Sequence, residues 1–493
     1  MCTRKPVFHG ETWTVEQLEH FWNKIDAIGK SWGITYPRQQ IELISSDQMI
    51  ETICTVGAPI SYDHWSIGKD AAAMAEQYKK GKTGLALELV INSDPSIMYI
   101  MENNTLMQQG LVMAHAGIGH GSVYKNNYLF KQWTQPEAIL DYMAYAKEYI
   151  NQCERKYGPE EVERTLDCCH MLQNYGVSHK KQFSRHTRKK NKEMLETALE
   201  DSMQLGSTVP NFHYKEKIQA QLSAMSEGDE LPEENILYFL EKNAKIKTWQ
   251  REIIRITRKM AEYFYPQTKT KILHEGWATF IELMVFEELY KNGDIDEGGY
   301  LEFLRDHSSV IWQPEHDSKY FSGQLNPYSI GFAIFKDLYR MTIDPTPEDL
   351  REYPDICNTR WQDSLMNIVK NYCDTDFLGG FLTPNVAKDL GLFAINTDIE
   401  KEEVVISGTV RDLDVIRDTL VEETITFNRI PRLEIDRVNK KTGALYLYAY
   451  CAKGKRIDKP SLTNLQLHIR HFWGAPVFCN EVCYGESTEI AED

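Results

Sequence analysis

The stretch of sequence that decides the fold is residues 99–130, YIMENNTLMQQGLVMAHAGIGHGSVYKNNYLF. Its apolar residues recur at roughly helical intervals, which predicts a buried or half-buried helix with polar groups along it and just beyond its end. Burying polar groups is unfavourable unless each finds a partner, a metal or a ligand. We therefore expect the chemistry of the protein to lie here, around six polar residues: Glu102, His115, His120, Lys125, Asn126 and Asn127.

Helical patterns continue on both sides of this stretch. Residues 11–31 form an amphipathic pattern with Thr14 as the expected cap, and HEGWATFIELMVFEELYKNG at 274–293 is apolar on nearly every face, as a core helix is. After residue 395 the pattern changes to short strands near 402–408, 432–438, 444–451 and 477–483, with helices near 411–421 and 460–473.

This order predicts two domains. Residues 1–395 are expected to form a mainly α-helical N-terminal body with a few short strands, and residues 396–493 a small C-terminal α+β domain, ferredoxin-like in outline.

Composition excludes several classes of protein. The 493 residues carry a formal net charge of -17, which argues against a general binder of nucleic acid or of anionic membranes. No apolar run approaches the ~18 residues of a membrane span, and the N-terminus does not resemble a secretory leader. The ten cysteines form no CxxC pair. A cytoplasmic protein with reduced thiols is expected.

His115 and His120 are five residues apart. On an ideal α-helix, side chains with this spacing diverge by about 140°. Gly117 and Gly119 lie between them and weaken the helix, so a bulge or a helix end would bring both rings to one point. The alternative is that both are ordinary core histidines.

The second candidate is HEGWATF at 274–280, where Ala278 occupies the position at which a self-contained zinc motif needs its second histidine. Glu275 nevertheless lies on an apolar helix, so it must be paired, protonated or coordinated. We predict that His115, His120 and Glu275 bind a divalent metal, with zinc as the expected ion, as in hydrolases of the zincin type that use a glutamate ligand.

Catalytic roles are predicted for Glu275, for Glu102 as a residue that orients a histidine or transfers protons, and for His170 as a general acid or base. A structural hydrogen-bonding role is the alternative for Glu102 and His170. The sequence contains no GxSxG elbow, Walker A motif or Rossmann glycine pattern. Substrate-binding roles are predicted for eight polar or aromatic residues: Tyr62, His64, Trp65, Lys69, Lys125, Asn126, Asn326 and Tyr328.

The chain resembles the SpoVR family, the stage V sporulation protein R-like proteins. The resemblance covers nearly the whole chain, and it rests on six motifs: YDHWSIGK (62–69), MENNTLMQQGLVMAHAGIGHGSVYKNNYLF (101–130), ILYFLEKNA (236–244), WQREIIRITRKMAEYFYPQ (249–267), EGWATF (275–280) and NPYSIGFAIF (326–335).

The resemblance implies a link to spore-cortex formation, or to stress and stationary-phase physiology in bacteria that do not sporulate. It also implies two partners, a PrkA-like serine protein kinase and a third co-encoded protein, but no biochemical activity. Two hypotheses therefore stay open: a metal-dependent hydrolase acting on an amide or peptide bond, and a non-enzymatic regulatory or scaffold protein acting with the kinase. A two-metal helical oxidase would need paired ExxH motifs, which are absent.

Overall fold

The computed structural model describes residues 7–55, 60–80, 88–178, 233–314, 325–392, 394–398, 403–407, 413–426, 431–451 and 456–483. Within these ranges the chain is mostly helical with a few short strands, and a small α+β region lies near the C-terminus. The predicted fold class is thus confirmed. Across the same ranges, every helix is too short or too polar to cross a lipid bilayer.

The chain divides into two compact units, each made of two separated segments. The first unit comprises Met1–Asn151 and Phe264–Phe427, and the second comprises Gln152–Tyr263 and Asn428–Asp493. The predicted domain boundary between residues 395 and 396 falls within strand Ala394–Asp398, and it stays a prediction.

Fourteen of the described helices lie within the first unit, and Thr14 caps the first of them through a capping box with Gln17, as predicted. Their bounds are Val15–Ser31, Ser46–Cys54, Trp65–Lys79, Leu106–Val112, Gly121–Asn126, Tyr128–Trp133, Lys271–Lys291, Glu297–Val310, Pro327–Ile343, Asp349–Glu352, Trp361–Asn371, Asp374–Phe381, Pro384–Asp389 and Leu413–Thr426.

The first unit contains a three-stranded sheet. Ser96–Met101 is the central strand, parallel to Gln39–Ile44 and antiparallel to Glu88–Ile91. Residues 96–101, expected to begin the central helix, are therefore a strand, and the helix starts only at Leu106. A separate hairpin joins Ala394–Asp398 to Glu403–Ser407.

The predicted central helix runs from Leu106 to Asn126, and we call it the histidine helix. It begins with a capping box between Thr105 and Gln108, and its middle section, Met113–His120, is a π-helix. A π-helix joins residue i to residue i+5 by hydrogen bonds, so side chains five apart come to one side. The irregularity predicted between the two histidines is therefore real, and it extends over eight residues.

Lys271–Lys291, which we call the glutamate helix, packs against the histidine helix and against Pro327–Ile343, the crossing helix. A Cβ atom on Gly119 would lie 2.5 Å from the Cα atom of Ala278, and one on Gly276 would lie 2.3 Å from the Cα atom of Gly331. Both contacts are thus between backbones. They explain why a small residue, and not a histidine, stands at position 278.

The start of the glutamate helix is capped from a distant segment. Thr270, at its N-cap position, makes no side-chain cap bond. The buried carboxylate of Asp374 instead accepts hydrogen bonds from the main-chain N–H groups of Ile272 and Leu273, at 3.0 and 2.9 Å. These bonds satisfy donors that the first turn of a helix leaves open.

The second unit combines helices with a three-stranded sheet. Arg432–Val438 and Leu445–Cys451 are antiparallel, and Val477–Cys483 is parallel to Leu445–Cys451 after a crossover through helix Lys459–Trp473. Further helices are Pro159–Leu172, Ile236–Asn243 and parts of Ile139–Tyr157 and Thr248–Lys269. The last of these continues past Pro266 to Lys269, although a proline in a helix interior removes a main-chain hydrogen bond.

Candidate metal centre

The π-helical section brings the rings of His115 and His120 together. Their centroids are 4.7 Å apart, and both side chains are buried. The Nε2 atoms of the two rings lie near the same two carboxylates, those of Glu88 and Glu275. The predicted convergence of two imidazoles and a distant glutamate is therefore present, and Glu88 adds a second acid.

The distances among these groups suit one shared ion. Glu88 Oε1 lies 3.0 Å from His115 Nε2 and 3.7 Å from His120 Nε2. Glu275 Oε2 lies 3.6 and 3.5 Å from the same two atoms. Ligand atoms that are about 2.0–2.2 Å from one zinc ion lie roughly 3.0–3.6 Å from each other. The four nitrogen–oxygen distances thus match the spacing of a ligand set to within a few tenths of an ångström.

Two of the converging atoms lack ordinary partners. His115 Nε2 and Glu275 Oε2 are buried, and neither makes a hydrogen bond of normal geometry among the described residues. A buried polar atom without such a bond is energetically costly. Ligand atoms from Glu88, His115 and His120 also lie within 4.8 Å of one another. The donor set, imidazole nitrogen with carboxylate oxygen, fits zinc and related transition ions.

Behind His115 the cluster continues to a fully buried carboxylate. Glu282 Oε2 lies 2.5 Å from His115 Nδ1, and Glu282 Oε1 lies 2.7 Å from His307 Nδ1. Glu282 lies two helical turns after Glu275, so both carboxylates project from one side of the glutamate helix. We call Glu88, His115, His120, Glu275, Glu282 and His307 the histidine–glutamate cluster.

The electrostatics of the cluster follow from its excess of acid. All ion pairs that the structure records for Glu88, Glu275 and Glu282 are with histidines. Burial alone would lower the pKa of His115, but Glu88 and Glu282 outweigh it and raise that pKa well above its usual range. The three acids thus attract positive charge to this point.

Burial would likewise raise the pKa values of Glu275 and Glu282, yet the neighbouring histidines lower both. For Glu275 the pKa falls to about 2, because His115 and His120 lie close to its carboxylate. Both glutamates are therefore carboxylates at neutral pH, which is the form that binds a cation.

One side of the cluster is partly open. The side chains of Glu88 and Glu275 are 19% and 18% exposed, whereas Glu282 is completely buried. Tyr328 lies at the open side, with its ring centroid 6.1 Å from that of His115. Burial, followed by the charges of Glu275 and Glu88, raises the pKa of Tyr328 well above its usual range. Of the eight predicted substrate-binding residues, Tyr328 is the one that the recorded contacts place against the cluster.

His274 packs beside the cluster. Its ring lies edge-on against His120 at 4.2 Å and against Tyr124 at 5.1 Å. Burial and the proximity of His120 lower the pKa of His274 well below its usual value, so its ring is neutral. This agrees with the interpretation that HEGWA is not a zinc motif in itself.

The segment containing Tyr62, His64, Trp65 and Lys69 was predicted to be a loop lining a pocket, but a helix already begins at Trp65. His64 is buried, and its Nδ1 atom lies 2.7 Å from Ser66 Oγ, while Trp65 is 58% exposed and Lys69 is exposed. The recorded contacts give His64 a local capping role, and the substrate-binding role of all four residues stays a prediction.

Three other predicted substrate residues use their polar atoms elsewhere. Lys125 is exposed and donates to the main-chain oxygen of Tyr36. Asn126 donates to the main-chain oxygens of Thr35 and Ser122. Asn326 caps the crossing helix and donates to the main chain before it. These bonds satisfy main-chain groups at turns and helix ends, and the substrate-binding role of the three residues stays a prediction.

The predicted proton-transfer residues lie elsewhere as well. Glu102 is exposed in the turn that follows strand Ser96–Met101, and the carboxylate that contacts His115 Nδ1 is that of Glu282. The orienting role predicted for Glu102 is therefore filled by Glu282. His170 lies on helix Pro159–Leu172 in the second unit, whereas the cluster belongs to the first.

Sequence reasoning missed Glu88, Glu282 and His307. Glu88 interrupts the apolar run LALELVI, and Glu282 lies seven residues after Glu275 on the same apolar helix. The argument that singled out Glu275, a carboxylate with apolar neighbours on every side, applies equally to both glutamates. His307 carries no comparable signal, since it lies in an ordinary mixed helix.

Comparison with known proteins places the chain among relatives. A family model described as "SpoVR like protein" matches residues 12–429. The chain is 38% identical over 491 residues to a protein of Escherichia coli (strain K12) described as "Uncharacterized protein YcgB", and the match covers 98% of this chain and 95% of that protein. No solved structure matches the chain.

Proposed function

The chain belongs to the SpoVR-like family, and we propose that it is a metal-dependent hydrolase that cleaves an amide or peptide bond. The observation that carries this proposal is the convergence of His115 Nε2 and His120 Nε2 on the carboxylates of Glu88 and Glu275, with nitrogen–oxygen distances of 3.0–3.7 Å. Such an excess of buried acid without a lysine or arginine calls for a cation.

The four side chains would hold one divalent ion, and zinc suits their nitrogen and oxygen donors. When bound, such an ion lowers the pKa of a bound water and polarises a carbonyl group. The partly open side at Glu88 and Glu275 leaves room for water and substrate, which is typical of catalytic sites and not of closed structural ones.

The chain's own residues would supply proton transfer and orientation. In this proposal a carboxylate oxygen of Glu88 or Glu275 would accept a proton from the attacking water and return it to the leaving nitrogen. Tyr328 stays protonated because its pKa is raised, so its hydroxyl would donate a single hydrogen bond, to Glu275 or, with substrate bound, to a substrate oxygen.

Metal analysis tests the first half of the proposal. We expect full-length protein purified without chelators or affinity tags to contain about one transition-metal ion per chain, as one shared ligand set implies. His115→Ala, Glu88→Ala and Glu275→Ala should lose it with the fold retained, whereas His170→Ala is the matched control and should keep it. Metal-free wild-type protein with full biological activity would remove the basis of the proposal.

Hydrolysis tests the second half. Wild-type protein should cleave members of an amide and peptide library, lose that activity to a chelator and regain it when zinc is added back. Tyr328→Phe should lower turnover by a larger factor than it lowers the metal content, because the hydroxyl is proposed to contact the substrate and not the metal. If the protein contains stoichiometric metal but cleaves no member of the library, the metal site is supported and the hydrolase assignment is refuted.

The kinase partnership and the cytoplasmic location stay predictions that come from the family resemblance and from composition. Co-purification of the chain with a PrkA-like kinase from a native host would test the first, and cell fractionation the second. Retained kinase association in Glu275→Ala, together with a normal cellular phenotype, would favour the regulatory alternative over the enzyme.

A further inference from the structure

Glu282 links two histidines through a single buried carboxylate. Its Oε2 atom lies 2.5 Å from His115 Nδ1 and its Oε1 atom 2.7 Å from His307 Nδ1, so each oxygen takes one ring nitrogen. The side chain has no exposed surface. The carboxylate therefore has two hydrogen-bonding neighbours and no contact with solvent.

The chemistry of an ionised carboxylate fixes what these neighbours must be. It can only accept hydrogen bonds, and each of its two oxygens faces one ring nitrogen, so both Nδ1 atoms must carry hydrogen. For His115 this places the hydrogen on Nδ1 and turns Nε2 toward Glu88 and Glu275.

From this geometry we infer that Glu282, itself held by His307, is a positioning residue that fixes the tautomer and ring orientation of His115 for metal binding. The inference rests on the proposed metal site. Carboxylates that accept from the distal nitrogen of a ligating histidine are known to raise its basicity and restrict its rotation.

His120 provides an internal contrast. Its Nδ1 atom is buried without a hydrogen-bond partner among the described residues, and its ring packs edge-on against His274. On the Nδ1 side, packing alone thus holds His120, whereas a hydrogen bond to the Glu282 carboxylate holds His115. The two histidines of one site are consequently restrained by different forces.

His307 acts only through Glu282. It is 4% exposed and lies between the rings of Phe303 and Phe332, with centroid distances of 5.5 and 5.1 Å. Its removal leaves Glu282 with a single donor and one oxygen without a partner. The effect on the metal should therefore be smaller than that of removing Glu282 itself.

NMR of full-length protein labelled in its histidine rings tests the hydrogen bonds directly. Wild type should show two exchange-protected, downfield Nδ1–H signals, assigned to His115 and His307 by His115→Gln and His307→Phe. Glu282→Leu should abolish or shift both signals. Gln108→Leu replaces another buried polar side chain of the first unit, one that bonds Asp306, and should leave both unchanged.

Metal affinity, measured by competition with a chelator, gives the second readout. Glu282→Leu should weaken zinc binding about 10–100-fold, the range known for loss of such partners. His307→Phe should weaken it less, and Gln108→Leu should not change it. Unchanged affinity in a folded Glu282→Leu protein would overturn the inference.

Glu282→Gln keeps the inference testable if the leucine variant does not fold. A carboxamide has only one acceptor oxygen, whereas the Nδ1–H groups of His115 and His307 each need one. At least one of the two NMR signals must therefore change. If neither changes, the inference is wrong. The two NMR signals do not require metal. If wild-type protein shows both signals but binds no metal, the proposed function is refuted, while the hydrogen bonds to Glu282 are still confirmed.

Discussion

Each of the two compact units buries a glutamate, and the two solve the same electrostatic problem differently. In the second unit, Glu241 is 1% exposed and is paired with Lys242, Arg255 and Arg258, which are permanent cations. In the first unit, Glu88, Glu275 and Glu282 are paired only with histidines. The Glu241 network is thus complete in itself, whereas the histidine–glutamate cluster has room for an added cation.

The comparison teaches that a buried acid is not by itself a functional site. What distinguishes the cluster is the type of its partners, since a histidine can be neutral and ligate, while an arginine can only pair. Glu282 in the first unit and Glu241 in the second are almost equally buried, at 0% and 1% exposed. The two units are therefore expected to respond differently to zinc and to substitution because of the partners of their acids, and not because of the burial of those acids.

Metal removal should give the largest effect. Zinc at 1,000 times its Kd stabilises a folded site by about 4 kcal/mol through mass action. We expect zinc to raise the melting transition of the first unit and a chelator to reverse the rise, as followed by calorimetry of the full chain. A Glu88→Ala, Glu275→Ala double variant should not respond, whereas Glu241→Gln should respond as wild type does. If zinc raised the melting transition equally in wild type and in both variants, the distinction between the histidine–glutamate cluster and the Glu241 network would be refuted.

Breaking the Glu241 network should cost about 3 kcal/mol, at the lower end of the range for buried ion pairs because Arg255 is partly exposed. Glu241→Leu should lower the stability of the second unit in urea titrations and leave zinc affinity unchanged. Glu348→Ala, which removes an exposed ion pair with Arg351, serves as the control and should have almost no effect. A loss of zinc affinity in Glu241→Leu would contradict the comparison.

The Glu241 network should also respond to pH in a defined direction. Burial would raise the pKa of Glu241, but Lys242 and Arg258 outweigh it and lower that pKa below the usual 4.5. Its contribution to stability is therefore present above pH 4.5 and lost as the pH falls below that value. Glu241→Gln should flatten the acid side of the stability profile, measured by urea unfolding between pH 3 and 7. An unchanged acid slope would show that other groups control it.

Asp374 is a third solution, a buried acid whose pKa is raised to about 7 by burial although main-chain N–H groups donate hydrogen bonds to it. Asp374→Ala should destabilise the first unit by about 1–2 kcal/mol, as losses of helix caps do. It should weaken zinc binding only slightly, because it does not touch the cluster ligands directly. Asp374→Asn, which keeps an acceptor oxygen, should recover part of the loss in thermal unfolding. Full loss in the asparagine variant would mean that charge, and not capping, matters there.

The smallest effect is expected for Lys125→Ala. Lys125 is exposed and bonds one main-chain oxygen, so the free energy of unfolding should change by less than about 0.5 kcal/mol. Zinc affinity and any hydrolytic turnover should match wild type. A large loss of turnover would restore the predicted substrate role of this lysine.

The sequence predicted the core of the site because burial is a strong constraint. The sequence alone was enough to group His115, His120 and Glu275 into one site, because an unpaired polar group on a buried apolar helix is energetically costly. Helix ends and the C-terminal strands were also predictable, because caps and alternation of polar and apolar residues are local signals.

The remaining site residues depend on tertiary arrangement. Glu88 lies on a strand, and only sheet pairing shows that its side chain reaches the two histidines. Asn126 and Asn326 looked like substrate ligands because polar residues near an apolar helix suggest a pocket, yet main-chain groups of neighbouring turns bind them. A single sequence does not reveal such partners.

The glutamate helix has one further consequence, which arises from its contacts with the histidine helix at Ala278 and with the crossing helix at Gly276. Because backbone touches backbone on both sides, no flexible side chain is available to absorb a displacement at either place. Glu275 directly precedes Gly276, so its main chain lies next to one of these contacts. Close backbone packing, and not only hydrogen bonding, therefore limits how far the Glu275 carboxylate can move.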